Sequence, residues 1–225
     1  MLPELHIFGF SISTYYMMMF LGFLLMAALM VKRKAQYDLN VYQAVLLSGC
    51  IMFSGVLGCK ILYILENWGE PITLGGFSFF GAVFLVPIFM PLFGALFKLK
   101  PSQSINASAP CVCAMIGTIR VGCFLSGCCG GWALPNGFRF PTQAMESIGD
   151  FMILYWLLDS EEKGKQKLYL RFMLAYGILR FLVEFLRDTP KDWLGLSHGH
   201  WFAIAAGTVG AVALASGKKR GMGNV

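Results

Sequence analysis

Residues 115–132 read MIGTIRVGCFLSGCCGGW, and this stretch decides the fold. Its first half is apolar enough to lie in a bilayer, yet it carries Arg120. An arginine at membrane depth costs about 2.5–3.5 kcal/mol even on the lenient insertion scale, so it requires a partner or a task. The five glycines from Gly117 to Gly131 let another backbone or a ligand approach closely. The stretch therefore reads as a transmembrane helix running into a glycine- and cysteine-rich mouth. The rest of the chain is read as supplying partners and lipid access for it.

The surrounding composition agrees. Of 225 residues, 57% are hydrophobic and 13% charged, against about 25% charged in an ordinary soluble domain. Long apolar runs recur along the whole chain, which points to a polytopic membrane protein. The start, MLPELHIF, lacks a basic n-region, so no cleavable signal is expected. The net charge of +6 does not argue for nucleic acid, because most basic residues fall between apolar runs. Seven cysteines, an odd number set mostly within those runs, exclude a secreted disulfide framework.

Seven spans are predicted: Ser11–Val31, Val41–Leu65, Phe77–Phe97, Cys111–Cys128, Gln143–Leu158, Tyr169–Leu186 and Trp201–Ser216. The expected fold is all-α, one integral-membrane domain over residues 1–225. Lys32, Arg33, Lys34, Lys98, Lys100, Lys163, Lys165, Lys167, Lys218, Lys219 and Arg220 fall in connections on one side. The other side holds only Arg139, Arg187 and Lys191. The positive-inside rule then places the N-terminus outside and the C-terminus in the cytoplasm. Arg171 and Lys60 lie near span ends, where they can snorkel. Trp68, Trp132, Trp193 and Trp201 fall at outer ends and read as an aromatic belt.

The sixth span is the most informative after the opening one. Tyr176, Arg180 and Glu184 stand at i, i+4 and i+8, along one helix face. Arg180 and Glu184 could simply neutralise each other, but Arg120 has no carboxylate in its own helix. Two intramembrane arginines facing one cavity suit an anion, and phosphate best, through paired parallel hydrogen bonds. In a membrane that phosphate is a phospholipid headgroup. The fifth span opens PTQAMESIGD, with Gln143, Glu146 and Asp150 at near-helical spacing. Asp150 is read as a solvated first-turn acid, whereas Glu146 is read either way. Cys123, Cys128 and Cys129 have an unusual spacing for zinc and no histidine in the segment, so no metal and no cofactor is assigned. Tight packing or a reactive thiol pair are the competing readings. His198 and His200 are placed in an outer loop, as a base, metal ligands or plain surface polarity.

With these residues in hand, the chain resembles the bacterial prolipoprotein diacylglyceryl transferase family. The segments ISTYYMMMFLGF (Ile12–Phe23), GCKILYIL (Gly58–Leu65), GGFSFFGAV (Gly75–Val83), RVGCFLSGCCGG (Arg120–Gly131), FPTQAMES (Phe140–Ser147) and YGILRFLVEFLRD (Tyr176–Asp188) carry the resemblance. It implies transfer of a diacylglyceryl group from phosphatidylglycerol to the lipobox cysteine thiol of a prolipoprotein, releasing glycerol phosphate, at the bacterial plasma (inner) membrane. The implied catalytic residues are Arg120, Arg180, Glu184, Tyr176 and Tyr15. The implied substrate-binding residues add Gln143, Glu146, Ser126 and Gly122. The implied partners are phosphatidylglycerol, a prolipoprotein signal peptide or another thiol or hydroxyl acceptor, and membrane lipids. Phe80 stands where the family usually has histidine, and Cys123, Ser126 and Cys128 where Asn, Asn and Glu are usual. The phosphate-handling half looks kept and the acceptor-handling half changed. That leaves as alternatives a member acting on a different acceptor, a lipid-binding protein without catalysis, and a thiol oxidoreductase built on Cys128 and Cys129.

Overall fold

A computed structural model describes residues 3–7, 10–69, 76–135, 137–191 and 194–222. Among these the chain forms seven α-helices and one short hairpin. The hairpin pairs β1 (Glu4–Ile7) with β2 (Phe10–Ser13), Glu4 opposite Ser13. It takes Ser11–Ser13 out of the expected first span, because Phe10–Ser13 alternates apolar with polar at the period of a strand. Helix α1 accordingly starts at Thr14, whose N–H bonds to Pro3 O at 3.0 Å, and runs to Arg33.

Helix α2 (Val41–Glu66) opens on a reciprocal cap. Asn40 Oδ1 accepts the Gln43 N–H at 2.8 Å and Gln43 Oε1 accepts the Asn40 N–H at 3.0 Å. Helix α3 (Phe80–Leu96) follows, then α4 (Pro101–Ser126), α5 (Thr142–Glu162), α6 (Leu168–Glu184) and α7 (His198–Met222). Among the described residues, four helical stretches are long and apolar enough to cross a membrane: Thr14–Tyr37, Val41–Glu66, Pro101–Ser126 and His198–Ser216. Helix α3 is apolar but shorter, at 17 residues. Trp68 and Trp132 are exposed, while Trp193 and Gly75 lie outside the described residues.

Helix α4 is the axis of the molecule. In its most apolar window 83% of residues are buried, against 22% in the corresponding window of α1 and of α7. It packs on α1, α3, α5 and α6. It also begins well before the expected Cys111. Pro101 occupies the first turn, where its missing N–H costs nothing. The segment after it looks polar only because it is made of small residues. Ser104, Ala107, Ser108 and Ala109 are buried between neighbours, and the two hydroxyls donate back to Pro101 O and Ile105 O at 3.0 and 2.8 Å. Further along, a Cβ on Gly122 would come within 2.9 Å of Met18 Cβ, so the absent side chain sets how closely α1 approaches.

Three sequence expectations about charge change here. Arg33, counted among loop charges, is buried: its Nε bonds to Glu161 Oε2 at 2.6 Å, its terminal nitrogens to Ala107 O at 3.0 Å and Tyr37 Oη at 3.1 Å. Glu161, an acid at the end of α5, faces inward to meet it. Asp150, expected to be solvated, is fully buried, because α5 turns that side toward Gly117 of α4, where there is no side chain to keep it out. His198 and His200 open α7 instead of lying in a loop, because Ser197 carries the first helical carbonyl, which accepts from His200 N–H at 3.0 Å.

Candidate active site

The buried charges of α4, α5 and α6 meet at one end of the bundle. Arg120 Nε lies 2.8 Å from Glu146 Oε1, which supplies from α5 the carboxylate that α4 lacks. Arg180 Nε lies 3.5 Å from the same oxygen, and Arg187 reaches Glu146 Oε2 at 3.9 Å. Arg180 also pairs with Glu184 at 2.5 Å, and Arg187 with Glu184 at 3.9 Å. Three guanidinium groups therefore share two carboxylates, with both carboxylates almost wholly buried. Arg187 had read as a loop charge. The break at the end of α6 turns it back, leaving its side chain only 11% exposed.

These pairs are close but poorly aligned. Arg120 Nε, Glu146 Oε1, Arg180 Nη1, Glu184 Oε2 and Arg187 Nε are all buried and make no well-directed hydrogen bond among the described residues. Tyr176 Oη and both carboxylate oxygens of Asp150 share that condition beside them. Unsatisfied buried polar groups cost about 1–3 kcal/mol each, more when charged, so a cluster of them marks a place arranged for something other than folding. Aromatic rings close the cluster on the α3 side. The Arg120 guanidinium sits 4.8 Å from the centroid of Phe79, and that of Arg180 5.9 Å from Phe80, which also packs edge-on against Tyr176.

Glu184 is tethered independently. It accepts from Ser197 Oγ at 2.7 Å and Thr189 Oγ1 at 3.1 Å. Ser197 also contacts His200 Nδ1, at 3.0 Å from Oγ and 3.2 Å from its own N–H. His200 is thus buried behind Glu184, with Nδ1 already engaged, and His198 is exposed.

The mouth is built by the end of α4. Gly127 takes the left-handed conformation (φ 77°), and the Cys128 N–H turns back to Cys123 O at 3.2 Å. Cys129 is left-handed too, at φ 59°. The first turn of α5 pins the result: Gln143 Nε2 donates to Cys128 O and Thr142 Oγ1 to Cys129 O. The next residues lie across the end of α6, with Trp132 N–H on Leu186 O at 3.2 Å. Hydrogen bonding from Cys123, aided by the nearby Arg187 and Arg120 charges, holds the Cys129 thiol down at about 5 despite partial burial. From α1, Tyr15 packs against the cluster of Met115, Ile119 and Cys123, and Ser126 Oγ meets Thr14 Oγ1 at 3.1 Å. Gly122 faces Met18 and Tyr15.

The family model for prolipoprotein diacylglyceryl transferase matches residues 4–216. The chain belongs to this family. It is 31% identical to phosphatidylglycerol–prolipoprotein diacylglyceryl transferase 2 of Clostridium perfringens, with 84% of each chain covered. It is 30% identical to the corresponding enzyme of Clostridium tetani, covering 82% of this chain and 84% of the relative. A Pseudomonas paraeruginosa enzyme of the same name is 31% identical over 68% of this chain and 65% of its own. Against the family resemblance, the fold brings Arg120, Glu146, Tyr176, Arg180 and Glu184 together, with Gln143 bound to the mouth. Tyr15, Gly122 and Ser126 line the α1 side. Ser197, an ordinary serine in a loop, had no sequence signal. Arg187 had two, as a loop charge and as a residue close to the outer end of the Tyr176–Arg180–Glu184 stripe, and the structure favours the second.

Proposed function

We propose that this protein transfers a diacylglyceryl group from phosphatidylglycerol to a lipobox cysteine thiol of a prolipoprotein, with glycerol phosphate as the leaving group. Membership of the family and the names of its relatives support the reaction class. The observation that carries it to these residues is the convergence of Arg120, Arg180 and Arg187 on Glu146 within 4 Å, three guanidinium groups about one carboxylate in an apolar setting. Arg120 is held to Glu146 through Nε, which leaves its terminal nitrogens for a second partner, and a phosphate accepts two parallel hydrogen bonds from such a guanidinium.

In this reading Arg120 and Arg180 hold the phosphodiester and stabilise charge that builds on the departing phosphate oxygen. Such donors act strongly where water is excluded. Glu146 and Glu184 orient the guanidinium groups, and the Ser197 and Thr189 hydroxyls fix Glu184 in turn. Tyr176 Oη donates to the headgroup, and Tyr15 flanks the acceptor side. An open apolar groove between α5 and α6, lined by Met152, Ile153, Trp156 and Ala175, supports sideways entry of acyl chains. The same proposal takes residues 1–225 as one integral-membrane domain in the bacterial plasma membrane. Its seven helices all cross the bilayer, with the N-terminus outside, as the lysine and arginine asymmetry supports.

The test is direct. Purified protein is incubated with phosphatidylglycerol and a lipobox peptide, and the thioether product is measured by mass. Product that disappears in Arg120→Ala sustains the proposal. Lipid binding that depends on Arg120 without any thioether would overturn it in favour of a non-catalytic lipid-binding protein.

A further inference from the structure

The thiols at the mouth remain to be explained, as does the activation of the acceptor. A thiol attacks as its thiolate, so something must remove or hold off its proton. Position 80, where the family resemblance expects histidine, holds a phenyl ring packed among Tyr176, Phe84 and Phe202. His200 is engaged behind Glu184 and points no free Nδ1 at the mouth.

The sulfurs of Cys123, Cys128 and Cys129 lie within 4.8 Å of one another. The sequence spacing gave no sign of this. The left-handed turns at Gly127 and Cys129 fold the segment back, so that residues separated along the chain present their thiols to one point. Backbone strain of this kind at a non-glycine residue persists only where surrounding contacts hold it, here Gln143 and Thr142 on the two carbonyls. Cys123 is buried in α4, whereas Cys128 and Cys129 are exposed, so the trio is closed on the inner side and open on the outer.

We propose that Cys123, Cys128 and Cys129 form a site for one thiophilic divalent cation of the zinc class, and that its open fourth position takes the acceptor thiol. Zinc binds sulfur at about 2.3 Å in tetrahedral geometry, which sets sulfur–sulfur separations near 3.8 Å. The three sulfurs, all within 4.8 Å of one another, exceed that spacing by at most about 1 Å. Three protein ligands with one open position is the arrangement of catalytic zinc, and thiolates select such ions over magnesium or calcium. The nearby guanidinium groups of Arg120 and Arg187 offset the negative charge that three thiolates and a fourth would bring.

This rests on the transferase reading. The acceptor thiol binds the cation and releases its proton to water, since a coordinated thiol is deprotonated outright. The thiolate's electron pair forms the new S–C bond to the glyceryl carbon bearing the phosphate. The C–O bond breaks, and its pair leaves with glycerol phosphate on Arg120 and Arg180. No atom changes oxidation state by electron transfer to a second reagent, and the cation stays on its three cysteines.

The experiment uses the full-length protein in detergent with a non-thiol reductant, titrated with Co²⁺ alone. One equivalent binds and gives sulfur-to-cobalt charge-transfer absorption. Cys128→Ser and Cys129→Ser, whose metal-free melting temperatures match the parent, each weaken binding at least about 100-fold, beyond what an outer-shell change does. Cys50→Ser leaves it unchanged. Adding a lipobox peptide strengthens the sulfur-to-cobalt band as a fourth thiolate joins, and a Cys→Ser peptide does not. Absent binding, or binding indifferent to Cys128 and Cys129, overturns the site. So does isolation of the trio as a disulfide that binds no metal. If cobalt and peptide bind as stated but no thioether forms, the metal site stands and the transferase reading falls. If thioether formation persists under chelation and in Cys129→Ser, the transferase reading stands and the metal site falls.

Discussion

Two sets of buried arginines occupy opposite ends of this bundle, and they differ in how completely they are satisfied. At one end Arg33 bonds through Nε and both terminal nitrogens, to Glu161, Ala107 O and Tyr37, and Tyr37 Oη donates to Glu161 as well. Every strong donor has an acceptor, and one cation meets one acid. At the other end Arg120, Arg180 and Arg187 share Glu146 and Glu184 through close, misaligned contacts. The first arrangement is complete in itself and ties α1, α4 and α5 together. The second leaves buried donors and acceptors without directed partners, which is why we propose it as the site that takes the phosphate. A buried arginine is therefore not in itself a mark of function. What sets the proposed site apart is its surplus of undirected donors and acceptors.

Breaking the surplus end gives the largest effect. Arg120→Ala lowers thioether formation by about 10³-fold in protein shown to be folded, the upper range for loss of one charge-stabilising donor. Arg180→Lys keeps the charge but loses two-point recognition, and turnover falls by about 10²-fold. A turnover near that of the parent would show that the phosphate is held by charge alone. Breaking the satisfied end shifts the effect from rate to stability. Arg33→Met strands Glu161 and costs about 3–5 kcal/mol in denaturant unfolding, while protein that remains folded keeps its turnover. The double change Arg33→Met with Glu161→Met recovers most of that stability, because no charge is left uncompensated. The smallest effect sharpens the acceptor side. In a Cys129→Ser background, Phe80→His recovers turnover by up to about 10²-fold, since an imidazole supplies general-base help at the lower end of its usual range.

The sequence made the surplus end partly legible because charges stand out in apolar helices. Tyr176, Arg180 and Glu184 declare a common face by spacing alone, and Arg120 declares a need. The partner that meets the need, Glu146, could be read either way, since the start of a helix gives an acid an innocent explanation. Asp150 was misread for the same reason. Burial there depends on Gly117 across the helix interface, a tertiary fact. Arg33 and Arg187 both sit at helix ends, where a charge is expected to reach water, and only the packing of neighbours turns them inward. The first half of α4 was hidden by serines that pass for a loop until their hydroxyls are seen to bond within the helix. The meeting of the three thiols was the least legible of all, because it depends on two left-handed residues whose backbone torsions composition does not announce.

The direction in which the helices run has one more consequence. Helices α4 and α6 end at the arginine cluster, and α5 begins there. A helix carries partial negative charge at its carboxyl end and partial positive charge at its amino end, worth about 0.3–1 kcal/mol to a complementary charge within a turn, and up to about 2 when partly buried. Arg180 stands in the last turns of α6 with Arg187 just beyond, and Glu146 stands near the first turn of α5. Each of these three groups thus lies near the end of a helix whose macrodipole favours its sign. Glu184, the last residue of α6, stands at the end that disfavours an acid and is held by Arg180, Ser197 and Thr189 instead. The peptide backbone itself offsets part of what it costs to keep the cluster charged away from water.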